Sequence, residues 1–289
     1  MFYIGCPVWS HKEWVGTFFP ERTSPGDFLR LYSRKLSCVE GNTTFYAVPA
    51  VETIARWRAE TPPEFRFCPK IPRDISHSLA LETTRSATLA FVERLGGLGE
   101  RLGPIFLQLP PAFGPAYLKQ LETWLAFWPA TVRVAVEVRH PAFFEKEQSM
   151  VLNTLLNQHR AARVIMDTRP IRTGSDEEQG VLQARERKPD LPVHPVLTTD
   201  FAFLRYIGHT SSEINAPFLE AWATHLAQWY KQGITLYVFC HCPFEIHSPD
   251  ICSELYQRLQ LLTPLPELPW ARERHAAKQT GKFEQGRLF

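Results

Sequence analysis

The chain has 289 residues, of which 44% are hydrophobic and 21% are charged, and its 32 basic and 30 acidic residues give a net charge of +2. This length is enough for one large α/β domain with a sizeable core. The near-neutral charge excludes a protein that coats nucleic acid through general basicity, and it excludes an acidic disordered protein. The sequence lacks both a long apolar run and a basic, apolar start, so we predict a cytoplasmic protein without a membrane segment.

Eight short apolar runs recur along the chain and alternate with segments of helical periodicity. Runs that are almost continuously apolar are what a parallel sheet covered on both faces requires. The runs are Phe2–Cys6, Cys38–Asn42, Arg66–Ile71, Ile105–Pro110, Arg133–Arg139, Ala162–Thr168, Phe201–Gly208 and Thr235–His241. Eight such units predict an α/β fold, a single (β/α)8 TIM-type barrel over residues 1–264, with an open doubly wound sheet as the alternative.

Two segments depart from this repeat. Residues 169–200 are charged and contain several prolines, and they are expected to form a long loop between the sixth and seventh strands. Such a loop would be either a lid over the catalytic face or a solvated insertion. Residues 265–289 are polar, and they predict a C-terminal extension outside the barrel.

Polar side chains stand at the carboxyl ends of the predicted strands, where barrel enzymes place their chemistry. A charged side chain in an apolar strand is costly unless it is paired, so several of them on neighbouring strands predict a polar cluster. The cluster is either a functional pocket, which we favour, or a salt-bridge network that closes the barrel mouth. The candidates are Glu40, Asn42, Lys70, Gln108, Glu137, Arg139, His140, Asp167, Arg205 and His241.

Two carboxylates in different environments can hold different protonation states, so Glu40 and Glu137 are candidates for general acid and base. Lys70 and Arg139 are suited to an anionic group of the substrate. The predicted catalytic residues are Glu40, Lys70, Glu137 and Asp167. The predicted substrate-binding residues are Asn42, Tyr46, Gln108, Arg139, His140, Arg205 and His241.

Metal binding is an open alternative at the strand ends. Glu40, Glu137, His140, Asp167 and His241 are residue types that bind divalent metals. The chain contains no HExxH motif and no paired CxxC motifs, and neither GxGxxG nor GxxxxGK[ST] occurs. No motif in the sequence therefore indicates a required cofactor, and the absence of glycine-rich motifs argues against a dinucleotide-binding or P-loop enzyme.

Five motifs follow one another with a specific order and spacing. They are IGCPVW at Ile4–Trp9 with the following Trp14, VEGNTTFY at Val39–Tyr46, TPPEFRFCPK ending at Lys70, LGPIFLQLPPAF at Leu102–Phe113 and VEVRH ending at His140. These motifs resemble those of the YecE-like family, domain of unknown function 72. The resemblance implies a single TIM-type barrel and places shared family motifs on the strand-end positions, but it implies no reaction. Cys6, Pro7 and Val8, and also His241 and Cys242, differ from many relatives, so we expect substrate details to differ.

The last five residues, Gln285–Phe289, form the pattern QxxLF. This pattern resembles the short peptide with which many bacterial repair and replication proteins bind the sliding clamp. A Gln side chain can hydrogen-bond in a polar pocket while Leu and Phe fill an apolar one, so we predict that Gln285, Leu288 and Phe289 bind a partner. The alternative is that these residues pack on the surface of the barrel as an anchor.

Two functional hypotheses follow. The first is an enzyme of the hydrolase or lyase type that performs acid/base chemistry on an anionic or phosphate-bearing substrate, with a link to DNA repair or replication. Direct binding to nucleic acid is not supported by the net charge, because phosphate contacts require clustered Lys and Arg. The second is a non-catalytic module that binds a metabolite, or an adaptor that docks on a partner such as the sliding clamp through its tail.

Overall fold

The computed structural model describes residues 1–174 and 179–268, and strands occupy all eight predicted apolar runs. Each strand begins at its predicted start or one residue after it, which confirms the strand predictions. The strands are β1 (Phe2–Gly5), β2 (Cys38–Gly41), β3 (Arg66–Pro69), β4 (Ile105–Gln108), β5 (Val134–Glu137), β6 (Ala162–Asp167), β7 (Phe201–Ile207) and β8 (Thr235–His241).

Helices lie in the intervals between the strands. The α-helices of the described residues are α1 (Phe28–Tyr32), α2 (Val51–Glu60), α3 (Arg73–Ser76), α4 (Arg85–Gly96), α5 (Leu118–Ala126), α6 (Lys146–Gln158), α7 (Arg169–Arg172), α8 (Gln179–Arg187), α9 (Ser212–Lys231) and α10 (Ser248–Leu262). Short 3-10 helices occupy Lys12–Trp14, Pro25–Asp27, Asn42–Phe45, Leu81–Thr84, Gly99–Arg101, Pro115–Tyr117, Pro141–Phe144 and Glu245–His247. None of the described helices is both long enough and apolar enough to cross a membrane.

The strands form two parallel sheets. Six strands pair in the order β1-β8-β7-β6-β5-β4, and β2 pairs with β3 in a separate two-stranded sheet. The continuous eight-stranded ladder expected of a closed barrel is therefore not observed. Between β1 and β2 the backbone N–H of Ser37 donates to Ile4 O at 3.2 Å and that of Glu40 donates to Cys6 O at 3.1 Å. Between β3 and β4 only isolated parallel bridges occur, Phe67 with Leu102 and Lys70 with Phe106.

One face of all eight strands contributes to a single apolar cluster. Its members are Tyr3, Cys38, Cys68, Phe106, Ala135, Ala162, Val164, Phe201, Phe203, Tyr237 and Phe239. Successive side chains of a strand point to opposite faces, so a residue two positions further on lies on the same face as its predecessor. Polar residues follow at this spacing, for example Glu40 after Cys38 and Arg205 after Phe203. The polar residues therefore form a layer at the carboxyl ends of the strands, next to the apolar cluster.

The sequence predicted a long loop over residues 169–200. The structure differs, because this segment contains helices α7 and α8. Ile171 and Val181 pack with Ile207 of β7 in a small buried cluster, which gives these helices an apolar anchor. Arg172 Nη2 also donates to the backbone oxygen of Lys188 at 2.7 Å. Gln285, Leu288 and Phe289, for which partner binding is predicted, lie outside the described residues.

Candidate functional site

Arg205 of β7 lies at the centre of the polar layer and is 3% exposed. Its Nε donates to Glu40 Oε2 at 2.9 Å, and its Nη2 donates to Glu40 Oε1 at 2.8 Å. Its Nη1 donates to Glu137 Oε2. One guanidinium thus joins the two carboxylates, which come from β2 and β5.

Glu40 has two further partners. His241 Nε2 lies 3.0 Å from Glu40 Oε2, and Asn42 Nδ2 donates to Glu40 Oε1 at 2.7 Å. Burial lowers the pKa of His241 to about 4, so the imidazole is neutral at physiological pH. Because the carboxylate can only accept a hydrogen bond, the proton of this neutral imidazole lies on Nε2.

Glu137 is bonded on its other side by Arg139. Arg139 Nε donates to Glu137 Oε1 at 2.7 Å, and Arg139 Nη2 donates to Gln108 Oε1 at 2.8 Å. The same Gln108 oxygen accepts from Lys70 Nζ at 2.9 Å. Lys70 Nζ also lies 4.1 Å from the centre of the Phe45 ring. The amide oxygen of Gln108 on β4 therefore links two cationic side chains that follow β3 and β5, the strands on either side of β4.

The two central carboxylates are ionised. Burial alone would raise the pKa of each, but Arg205 outweighs this effect at both of them. The pKa of Glu40 lies well below 4.5, and that of Glu137 lies at about 2. A carboxyl group that holds no proton near neutral pH cannot act as a general acid. The lowered pKa values therefore do not support the division into acid and base predicted for Glu40 and Glu137.

A cavity of about 460 Å³ opens above the polar layer. Lys70, Gln108, Arg139, Arg205 and His241 line it from the strand ends. Asn42, Phe45 and the loop after β1 line one side, whereas α8 and the residue after it contribute Gly180, Gln183, Ala184, Arg187 and Lys188. Cys242, Pro243 and Glu245 complete the wall after β8. The segment between β6 and β7 thus takes part in the site.

Three ionisable residues of this wall, Arg187, Lys188 and Glu245, were not among the site residues predicted from the sequence. Lys188 is half-buried, and burial together with the Arg205 charge lowers its pKa to about 8. Glu245 Oε2 accepts a hydrogen bond from Ser248 Oγ at 2.7 Å, and burial raises the pKa of this carboxyl to about 7. Lys188 directly follows α8, and Glu245 begins a 3-10 helix, so both residues lie outside the strand-end pattern. The only signal in the sequence is the basic run RERK at 185–188.

Lys70 is the third cavity group with a pKa close to neutral pH. Burial and the Arg205 charge lower its pKa to about 8, although Glu137 and Glu40 oppose this shift. The cavity therefore contains Lys70, Lys188 and Glu245 as groups that can exchange protons near physiological pH.

Three predicted site residues do not take part in the polar layer at the strand ends. Asp167 accepts from Arg169 Nη2 and from Trp222 Nε1 of α9, both at 2.7 Å, so its side chain faces the helical layer. Tyr46 is 82% exposed and packs edge-on against Phe45. The Nδ1 atom of His140 accepts from the backbone N–H of Ala142 at 3.2 Å, at the start of the following 3-10 helix.

The metal alternative finds no support in the side-chain arrangement. Across residues 1–174 and 179–268, no three His, Cys, Asp or Glu side chains are grouped so that they could hold a metal ion. Glu40 and His241 are in contact, but Arg205 takes both carboxylate oxygens of Glu40. A cation at that carboxylate would have to displace a guanidinium.

The chain has relatives of similar length. It is 38% identical over 274 residues to the UPF0759 protein YecE of Escherichia coli K12, with 93% of this chain and 98% of YecE covered. It is 22% identical over 259 residues to the UPF0759 protein YunF of Bacillus subtilis, with 82% of this chain and 87% of YunF covered.

Solved structures of similar fold include a DUF72 family protein from Thermotoga maritima, with a TM-score of 0.69, 22% identity and coverage of 90% of this chain and 99% of the other. A DUF72 family protein from Enterococcus faecalis has a TM-score of 0.66, 17% identity and coverage of 92% and 97%. The family described as "Protein of unknown function DUF72" matches residues 3–273. This match and the 38% identity to YecE show that the chain belongs to the DUF72 family.

Proposed function

We propose that this protein is an enzyme that binds a small anionic, phosphate- or carboxylate-bearing substrate in the cavity and performs acid/base chemistry on it. The observation that carries the proposal is the position of Lys70, Arg139 and Lys188 on the cavity wall. The carboxylates nearest to them, Glu40 and Glu137, are balanced by Arg205 and Arg139 together, which leaves the charges of Lys70 and Lys188. Positive charge therefore remains for a ligand.

The charge balance of the cavity supports an anionic ligand. Its wall and floor contain five cationic residues, Lys70, Arg139, Arg187, Lys188 and Arg205. Against them stand the ionised Glu40 and Glu137 below the cavity and Glu245 on its wall, the last of which is only half ionised near pH 7. An anion would be attracted by this surplus, and its hydrogen bonds to Arg139 and the lysines would be charge-assisted.

The cavity also suits a small molecule in size and chemistry. Its volume of about 460 Å³ lies within the usual range of ligand pockets, roughly 300–1,000 Å³. Lys70 and Glu245, with pKa values of about 8 and 7, take the acid and base roles in this proposal. Glu40 and Glu137 hold Arg205 in place instead. The reaction class remains hydrolase or lyase, as the sequence suggests.

We add two structural proposals, one on the closure of the barrel and one on the segment between β6 and β7. We propose that the two sheets together form one closed (β/α)8 barrel over residues 1–264. The shared apolar cluster and the hydrogen bonds between β1 and β2 support this closure. We also propose that the segment 169–200 acts as a lid, because α8 and Lys188 line the cavity mouth.

Calorimetric titration with inorganic phosphate tests the proposed function. The wild-type protein should bind phosphate at slightly acidic pH, where both cavity lysines are charged. Arg139→Gln should weaken binding about tenfold, because a hydrogen bond to a charged group contributes about 1.5–3 kcal/mol. Lys146→Gln removes an equal charge from an exposed position at the start of α6 and should leave the affinity unchanged. Absent binding, or equal losses in both variants, would contradict the proposal.

Partner binding through Gln285, Leu288 and Phe289 stays a separate, sequence-based proposal. The family match ends at residue 273, so these residues lie beyond the part shared with the family. Removing residues 285–289 and measuring binding to a bacterial sliding clamp tests this adaptor role. Unchanged clamp binding would eliminate it, and a link to DNA repair or replication would then lose its support.

A further inference from the structure

Lys70 differs from the other strand-end cations in its bonding. Arg139 and Arg205 both bond carboxylates, whereas the hydrogen bond of Lys70 goes to the neutral amide oxygen of Gln108. No carboxylate lies within ion-pair distance of Lys70 among the residues that the structure describes. The Lys70 residue is only 8% exposed and has no carboxylate partner within the described ranges, so its charge is stabilised less than that of its neighbours.

The surroundings of Lys70 favour a neutral amine. Two guanidinium groups, those of Arg139 and Arg205, repel a further positive charge, and burial penalises it. The pKa of about 8 leaves a usable fraction of the amine at neutral pH. A desolvated lysine beside other cations is a known form of activated nucleophile.

The backbone fixes the position of this amine. The N–H of Lys70 donates to Gly41 O at 3.1 Å, and Thr44 Oγ1 donates to Lys70 O at 2.6 Å. Phe45 and Phe106 lie beside its ammonium, with ring centres 4.1 and 5.9 Å from Nζ. Lys188, by contrast, stands after the end of α8 and outside the strands. Lys70 is therefore the amine that is held in a fixed place at the base of the cavity.

We propose that Lys70 forms an imine with the carbonyl group of a small oxo acid, whose acid group is bound by Arg139 and Lys188. This inference deepens the proposed function and rests on it, since the cavity must first bind an anion. It specifies the substrate class as a molecule that carries both a carbonyl and a carboxylate or phosphate group.

The step balances without a further reactant. The Lys70 ammonium first gives up a proton, and the lone pair of the neutral amine attacks the carbonyl carbon. The electron pair of the C=O bond moves to oxygen, which takes up a proton while the nitrogen loses one. The resulting carbinolamine loses its hydroxyl group as water when a second proton arrives, and the nitrogen lone pair forms the C=N bond. Overall, a lysine ammonium and a carbonyl compound give a protonated imine and one water molecule.

Borohydride trapping tests this inference. The wild-type protein is incubated with pyruvate and sodium borohydride, whose hydride adds to the imine carbon and leaves a stable secondary amine. Peptide mapping by mass spectrometry should find the reduced pyruvyl group on Lys70. Acetone, which has the carbonyl but no carboxylate, should give at least tenfold less label at this residue. Lys70→Arg keeps the positive charge and should abolish the adduct without loss of folding.

The outcomes separate this inference from the proposed function. If the protein binds phosphate but no adduct forms on Lys70, or the adduct forms on Lys188 or equally on surface lysines, the imine proposal is wrong and anion binding stands. If phosphate does not bind and acetone labels Lys70 as well as pyruvate does, the anion site itself is absent. Labelling of Lys70 that needs the carboxylate of pyruvate and falls at least fivefold in Arg139→Gln supports both.

Discussion

Arg205 and Glu40, which are 165 residues apart in the chain, form a two-pronged ion pair with distances of 2.9 Å from Nε to Oε2 and 2.8 Å from Nη2 to Oε1. Glu40 belongs to the two-stranded sheet and Arg205 to the six-stranded sheet. Lys70 and Gln108 make a second polar connection between the same sheets at 2.9 Å. The polar layer thus joins the two sheets and also forms the floor of the cavity.

Arg205→Met should destabilise the protein strongly. The substitution leaves Glu40 and Glu137 buried without their shared partner, and breaking a buried ion pair in this way costs about 3–5 kcal/mol. The triple variant Glu40→Gln, Glu137→Gln, Arg205→Met removes all three charges and should regain most of this loss. Urea denaturation measures both free energies. A triple variant as unstable as Arg205→Met would contradict the ion-network account.

The free energy of unfolding should decrease as pH is lowered, in two separate pH ranges. The folded pKa of His241 is about 4 against an ordinary value of 6.5, so the unfolded chain binds the proton first and stability decreases as pH falls from 6.5 to 4. The folded pKa of Glu137 is about 2 against 4.5, so its contribution is present above 4.5 and is lost as pH falls toward 2.

Two variants separate these pH ranges when the free energy of unfolding is measured against pH. His241→Gln should flatten the profile between 6.5 and 4, and Glu137→Gln should flatten it between 4.5 and 2. Profiles parallel to the wild type in both variants would show that neither group has a depressed pKa in the folded protein.

Gly5→Ala should disrupt the contact between β1 and β2. A Cβ atom at residue 5 would lie 1.8 Å from the backbone oxygen of Cys38, which cannot move aside as a flexible side chain can. We expect the free energy of unfolding to decrease by about 3 kcal/mol or more, which is at the upper end of the range for overpacked cores. Gly96→Ala is the matched control, because its Cβ would have no neighbour within 4 Å. Thermal unfolding should show the control within about 1 kcal/mol of the wild type.

Asp167→Asn should reduce stability but leave the cavity intact. Asp167 bonds Arg169 and Trp222 away from the polar layer, and weakening these bonds should cost about 2 kcal/mol. Phosphate affinity, measured by calorimetry, should stay within about twofold of the wild type. A tenfold loss of affinity in a folded variant would show that Asp167 does contribute to anion binding in the cavity.

Sulfate affinity should report the ionisation of Glu245. As pH rises through 7, Glu245 gains a negative charge, and near pH 8 Lys70 and Lys188 lose positive charge, so affinity should fall in both ranges. Glu245→Gln should remove the first decrease, which we expect to be about tenfold, and keep the second. A profile unchanged by the substitution would mean that Glu245 does not face the bound anion.

The strands and most of the polar layer could be predicted from the sequence because both depend on local patterns. Apolar runs mark buried strands, and period-two alternation puts Glu40, Glu137 and Arg205 on one face. Asp167 shows the limit of selecting residues by strand ends alone. Ala162 and Val164 face the apolar cluster, and residue 167, at an odd spacing from both, points to the opposite face of β6.

Lys188 and Glu245 could not be predicted in this way. They reach the cavity through segments whose path depends on tertiary packing, such as the contact of Gly180 with Phe244. The protonation states were also beyond the sequence, because they depend on which carboxylate meets which guanidinium in three dimensions.

Anomalous diffraction can show directly whether the cavity binds an anion. Crystals of the wild-type protein soaked in selenate, a sulfate analogue, are measured at the selenium absorption edge, with Arg139→Gln crystals as the control. We expect an anomalous peak within hydrogen-bond distance of Arg139 and of at least one of Lys70 and Lys188, and we expect this peak to be lost in the variant. An empty cavity in the wild type, or peaks confined to the outer surface, would contradict anion binding in the cavity.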